Sequence, residues 1–100
     1  MIVVSGAYVA KEGMRDEFMN KIISEGVRDA ILAENGCIGY DYYYPVGNDT
    51  NIYFIERWTD RDAWEAHKVA PHVTGALKDI KDQYMDGFEP GILGELIEQK

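Results

Sequence analysis

Hydrophobic and polar positions divide this chain into segments of two periods. Ile2 to Ala10 is a short apolar run with Val3, Val4, Tyr8 and Val9, rich in β-branched and aromatic types, which predicts a strand closed by Gly13. From Met14 to about Ala33 the period changes. Phe18, Ile22, Ile23, Val27, Ala30 and Ile31 recur at three and four, while Asp16, Glu17, Lys21, Glu25 and Arg28 fill the opposite side. One amphipathic helix is predicted, stopping near Asn35-Gly36. Strict alternation then returns. In CIGYDYYYPV, Ile38, Tyr40, Tyr42 and Tyr44 share one side and Gly39, Asp41 and Tyr43 the other. The turn-forming PVGNDT leads into a partner strand, Asn51 to Trp58, with Ile52, Phe54, Glu56 and Trp58 on one face and Tyr53, Ile55 and Arg57 on the other.

Thr59 followed by Asp62 has the spacing of a capping box, so a helix is predicted to start at Asp60. Pro71 disfavours helical geometry at Ala70 and interrupts it. A second helical segment from Pro71 or His72 carries Val73, Ala76, Leu77, Ile80 and Tyr84 inward, with Lys78, Asp79, Lys81 and Asp82 outward. Met85 to Gly91, with its Gly87, Pro90 and Gly91 breakers, reads as a linker before a last strand, ILGELIE. The order β-α-β-β-α-β predicts an α+β fold of the ferredoxin-like, split βαβ kind, with helices on one face of an antiparallel sheet. Residues 1–100 read as a single domain.

Composition adds an expectation about assembly. A domain of this length buries only about two-thirds of its unfolded surface, and 46% hydrophobic residues with 12% aromatics is rich for that size. Some apolar area should meet a second copy of the chain. Eighteen acidic against ten basic residues give a net charge of −8, which repels phosphate backbones and anionic lipid. Nucleic acid and membrane surfaces are thereby poor partners, and an anionic substrate would need a local basic pocket that no cluster in the sequence supplies. The lone Cys37 allows no intrachain disulfide and no thiol metal spacing, which fits a reducing compartment. MIVVSGAYVA has no basic leader, and no apolar run approaches the ~20 residues of a membrane span, so a cytoplasmic location is expected.

Candidate chemistry gathers between Ile52 and His72, where a carboxylate, two indoles and two imidazoles flank one strand-to-helix corner. His67 shares a helical stripe with Ala63 and Trp64 that should face the sheet. An imidazole is the side chain best suited to general-base work near neutrality; the structural alternative is a buried histidine tying its helix to Glu56 or a carbonyl. Glu56 lies between Phe54 and Trp58 on an inward face, where a carboxylate must find a partner. It either orients His67 or makes a cross-element ion pair. Pro71 between His67 and His72 breaks the one-face geometry of a helical metal pair, so no metal site is expected and His72 reads as a helix-start or pocket-rim residue. Phe54, Trp58, Trp64 and Tyr42 line either a planar substrate or the core, and the tyrosine row either an interface or a cavity.

Asn35-Gly36-Cys37-Ile38-Gly39-Tyr40, Phe54-Ile55-Glu56-Arg57-Trp58, Ala63, His67 and Pro71-His72 resemble, in order and spacing, the antibiotic biosynthesis monooxygenase family. The resemblance implies two ferredoxin-like protomers packed as a dimeric α/β barrel, each with a ligand cavity between sheet and helices. Similar sequences oxidise quinols and polycyclic phenols without a cofactor, degrade haem, or isomerise a phosphorylated dione. Haem-degrading relatives carry an asparagine on the first strand, where this chain reads Val4-Ser5-Gly6-Ala7. The expected function is therefore cofactor-independent oxidation of a small quinol or phenolic compound by O₂. His67 and Glu56 are the catalytic candidates, and Phe54, Trp58, Trp64, His72 and Tyr42 the substrate contacts. The alternatives are an isomerase or lyase using the same base on a carbonyl compound, and a non-catalytic dimer that binds a small molecule.

Overall fold

The computed structural model describes residues 1–97. Its four strands, β1 (Ile2–Ala10), β2 (Cys37–Tyr43), β3 (Asn51–Trp58) and β4 (Met85–Glu95), form one antiparallel sheet in the order β2-β3-β1-β4. β1 and β3 have the bounds that their patterns predict. The register sets Ile2 opposite Trp58, Val4 opposite Glu56 and Tyr8 opposite Ile52, so the alternate apolar residues of both strands share one face. Helices cover that face, and the core joins Tyr8, Tyr40, Ile52, Phe54 and Trp58 to Phe18, Ile22, Val27, Ile31, Leu77, Ile80 and Tyr84. This is the expected ferredoxin-like α+β architecture. Among the described residues, no helix is long and apolar enough to cross a membrane.

The first helical region departs from its prediction. It is two helices, α1 (Arg15–Ser24) and α2 (Val27–Leu32), separated by Gly26 at φ 71°. One left-handed residue redirects the chain while both halves keep their buried faces, Phe18 and Ile22 on the first and Val27 and Ile31 on the second. Ile23, expected on the apolar side, is exposed.

In β2 the pairing slips between Cys37 and Gly39. The irregularity turns Ile38 out to solvent, half exposed, instead of onto the face of Tyr40. Tyr44 lies beyond the strand end and donates to Asp16 Oδ1 at 2.8 Å. The third helix, α3 (Arg61–Lys68), is capped by Asp60, whose carboxylate accepts the Ala63 N–H at 2.8 Å. Thr59 is not the cap; its backbone N–H goes to the Gly36 carbonyl at 2.9 Å.

After Pro71 the chain forms a π-helical turn over Val73–Leu77 and continues as α4 (Lys78–Tyr84). Lys81 was expected outward and is half-buried, with its Nζ 5.5 Å from the Tyr8 ring centroid. The stretch predicted as a linker belongs to β4. Pairing with β1 absorbs Gly87, Pro90 and Gly91 through irregularities between Val4 and Gly6 and between Val9 and Ala10. Glu98, the last residue of the predicted ILGELIE strand, lies outside the described residues.

Candidate active site

The alternation of β3 sends Glu56 and Trp58 to the helix-covered face, where both are buried. Trp58 donates its indole N–H to Glu56 Oε1 at 3.0 Å, so the carboxyl and the indole fix each other. His67 is the one fully buried residue of α3. Its ring lies 4.7 Å from the Trp58 ring and 5.9 Å from Tyr40, centroid to centroid, and its Nε2 is 3.6 Å from Glu56 Oε1. Imidazole and carboxyl thus meet on the same side of the sheet, each 5% exposed.

A residue that the sequence did not single out completes the group. Glu34 follows α2, and its Oε2 lies 2.8 Å from His67 Nδ1 and 2.8 Å from His72 Nε2. The turn at Gly36 holds this end of α2 against α3, because Gly36 packs on Ala63 and Thr59 without room for a Cβ. The short partner of His67 is therefore Glu34, with Glu56 at the other ring nitrogen. No local pattern marks Glu34: its two partners are 33 and 38 residues away.

Burial dominates the electrostatics. Desolvation pushes the Glu56 carboxyl from 4.5 up to about 7; the Trp58 hydrogen bond and the Lys81 charge pull against this and the Glu34 charge adds to it. Burial likewise lifts the Tyr8 hydroxyl to about 12 and raises those of Tyr40 and Tyr42 well above the ordinary tyrosine value. Lys81 is pushed down by its own burial. Among the described residues it makes no ion pair. A carboxyl tuned near neutrality beside an imidazole can take and return a proton, and the surrounding rings exclude water from it.

The other expected contacts divide. Phe54 stacks with Tyr8 at 5.0 Å, Tyr40 at 5.9 Å and Phe88 at 6.1 Å, building an aromatic wall beside Glu56. Tyr42 stands 5.2 Å from Tyr40 and also borders a separate cleft with Arg28 and Asp41. Trp64 is half-buried with the Lys68 ammonium 4.1 Å from its ring centroid, and among the described residues it has no aromatic contact with His67. A cleft of about 560 Å³ opens over Tyr8, Lys81, Met85 and Phe88, and one of about 440 Å³ runs along Glu34, Gly36 and Ala63. Neither is lined by His67 or Glu56, so the pair sits behind packed side chains rather than in an open hollow. Among the described residues, no group of three or more His, Cys, Asp or Glu side chains could hold a metal ion.

The fold, its helix-covered carboxyl and the sequence together place the chain. Residues 1–79 match the model of the family described as antibiotic biosynthesis monooxygenase, and the chain belongs to that family. It is 28% identical over 82 residues to the Bacillus subtilis protein named "Putative monooxygenase YcnE", covering 82% of this chain and 84% of that one. Its backbone superimposes on a Nitrosomonas europaea structure with a TM-score of 0.82 at 17% identity, covering 98% of this chain and 100% of the other. A Mycobacterium tuberculosis structure gives 0.78 at 19% identity, with 99% and 98% covered. At these identities the two structures bear on the fold alone.

Proposed function

We propose that this protein is a cofactor-independent monooxygenase that oxidises a small phenol or quinol with O₂, with His67 as the base and Glu56 beside it. Family membership supports the reaction class. The observation that carries the residue assignment is the buried pair: His67 Nε2 faces Glu56 Oε1 at 3.6 Å inside a shell of Trp58, Tyr40 and Phe54.

His67 Nε2 takes the hydroxyl proton, and the electron-rich anion passes an electron to O₂. The radical pair recombines to a peroxide in the dry site. Cleavage of the O–O bond leaves one oxygen atom on the substrate and releases the other as water with two hydrogens of the substrate. The proton held by His67 returns in that step, and no external reductant is consumed. The ligand enters by the cleft over Tyr8, whose aromatic and thioether walls suit a planar ring, and displaces the side chains that separate it from Glu56. Each site belongs to one protomer of a homodimer.

Oxygen uptake with a panel of quinols and anthrone-like phenols tests the reading. Wild type is expected to consume O₂ and substrate one to one and to stop when O₂ is removed. His67→Ala should lower kcat on the order of a hundredfold or more. Turnover of a carbonyl substrate that persists without O₂ overturns the proposal in favour of isomerase or lyase chemistry, and binding of the panel with no turnover overturns it in favour of a binding protein.

A further inference from the structure

The two ring nitrogens of His67 face different carboxyls. Nδ1 meets Glu34 Oε2 at 2.8 Å, hydrogen-bond distance, whereas Nε2 stands 3.6 Å from Glu56 Oε1, an oxygen that already accepts the Trp58 N–H at 3.0 Å. A carboxylate only accepts hydrogen bonds, so a short contact to Glu34 puts the ring hydrogen on Nδ1. The same Glu34 oxygen takes a second contact of 2.8 Å from His72 Nε2. Side-chain exposure rises along this row, from 6% at His67 through 13% at Glu34 to 27% at His72. The polar groups that face the His67 ring are thus Glu34 from the segment after α2, Glu56 and the Trp58 indole from β3, and Tyr40 from β2.

We propose that Glu34 is the positioning residue of the site: it holds His67 as the Nδ1–H tautomer and leaves Nε2 bare on the side of Glu56. His72 is its support. By donating to the same oxygen from the solvent side, His72 keeps the carboxylate turned toward His67 and stops it from swinging into the cleft of about 440 Å³ that Glu34 borders. For a neutral ring facing an ionised Glu34, the tautomer follows from this contact. Its catalytic consequence, that Nε2 is ready to accept the substrate proton and to return it, rests on the function proposed above. The chemistry requires this choice, because an Nε2–H ring would present a donor where a base is needed.

Nitrogen-15 correlation spectra of the neutral histidine rings test this without any substrate. In wild type, His67 is expected to show a protonated Nδ1 and a bare Nε2. Glu34→Leu, which removes the acceptor at similar size, should move the ring to the Nε2–H form, drawn to Glu56, and His72→Phe, which frees Glu34 to swing into its cleft, should move part of the population the same way; an unchanged tautomer in His72→Phe overturns the supporting role of His72. With an active substrate in hand, Glu34→Leu should lower kcat on the order of a hundredfold with KM little changed. An Nε2–H ring in wild type, or an unchanged tautomer in Glu34→Leu, overturns the proposal. The wild-type spectrum decides even if the variant does not fold. A tautomer switch in Glu34→Leu combined with a wild type that oxidises no phenol sinks the oxygenase and leaves the role of Glu34 standing.

Discussion

Glu56 is a single carboxyl whose burial should be measurable in the stability of the whole domain. Its folded value of about 7 lies above the 4.5 of an ordinary glutamate, so the folded state binds the proton more tightly than the unfolded chain. The contribution is fully present below about pH 4.5 and is lost as pH rises through about 7. Converted at 1.36 kcal/mol per pH unit, the loss is roughly 3 kcal/mol. Glu56→Gln, which cannot ionise, should escape it. Urea unfolding of both proteins at about pH 4.5, the ordinary glutamate value, and in mildly alkaline buffer is expected to show wild type losing about that much relative to the variant as pH rises; parallel curves count against the burial of an ionisable group. Glu56 was legible in the sequence because a two-residue period assigns a face to every strand position. Glu34 was not, because a contact closed by the fold between residues 33 and 38 positions apart leaves no trace in either neighbourhood. The inward placement of Lys81 is hidden from the spacing for a related reason: a long stem lets an ammonium lie along a ring near the helix edge.

The order of the elements was legible throughout, and the departures came where one residue changes the chain's direction. Gly26 broke a helix whose apolar spacing ran on unbroken, and local irregularities in pairing let β4 pass through residues that read as breakers. Thr59 and Asp60 compete for the same cap, and the aspartate took it. The turn joining α2 to β2 matters most for the site. Gly36 sits at φ 84° with a notional Cβ 2.6 Å from Ala63 Cβ and 2.7 Å from Thr59 Oγ1. Gly36→Ala should therefore push α3, with His67, away from Glu34. Gly13 at φ 75° has nothing within 4 Å, so Gly13→Ala isolates the backbone strain. Gly36→Ala is expected to cost about 1 to 3 kcal/mol more than Gly13→Ala in urea unfolding, the usual range for overpacking. Equal costs would show that the turn yields without disturbing the helix.

At the scale of the molecule, the sheet is covered by helices on one face only. The other face presents Tyr43 and Tyr53, half exposed, together with Ile55, around a cleft of about 450 Å³. The proposed homodimer places a second copy there, as the apolar composition led one to expect. Sedimentation equilibrium should give twice the 11.4 kDa of the chain, and Tyr53→Glu should return it to the single mass. Two copies that each carry −8 repel one another, so added salt should tighten the association. A wild-type mass of 11.4 kDa at micromolar concentration rejects the dimer.

β4 forms one outer margin of the sheet, and Pro90 within it has a peptide nitrogen with no hydrogen to donate. Its interrupted pairing with β1 further spoils it as a template for a new strand. Growth by adding chains along this border, the path toward fibrils, is thus obstructed by an imino acid.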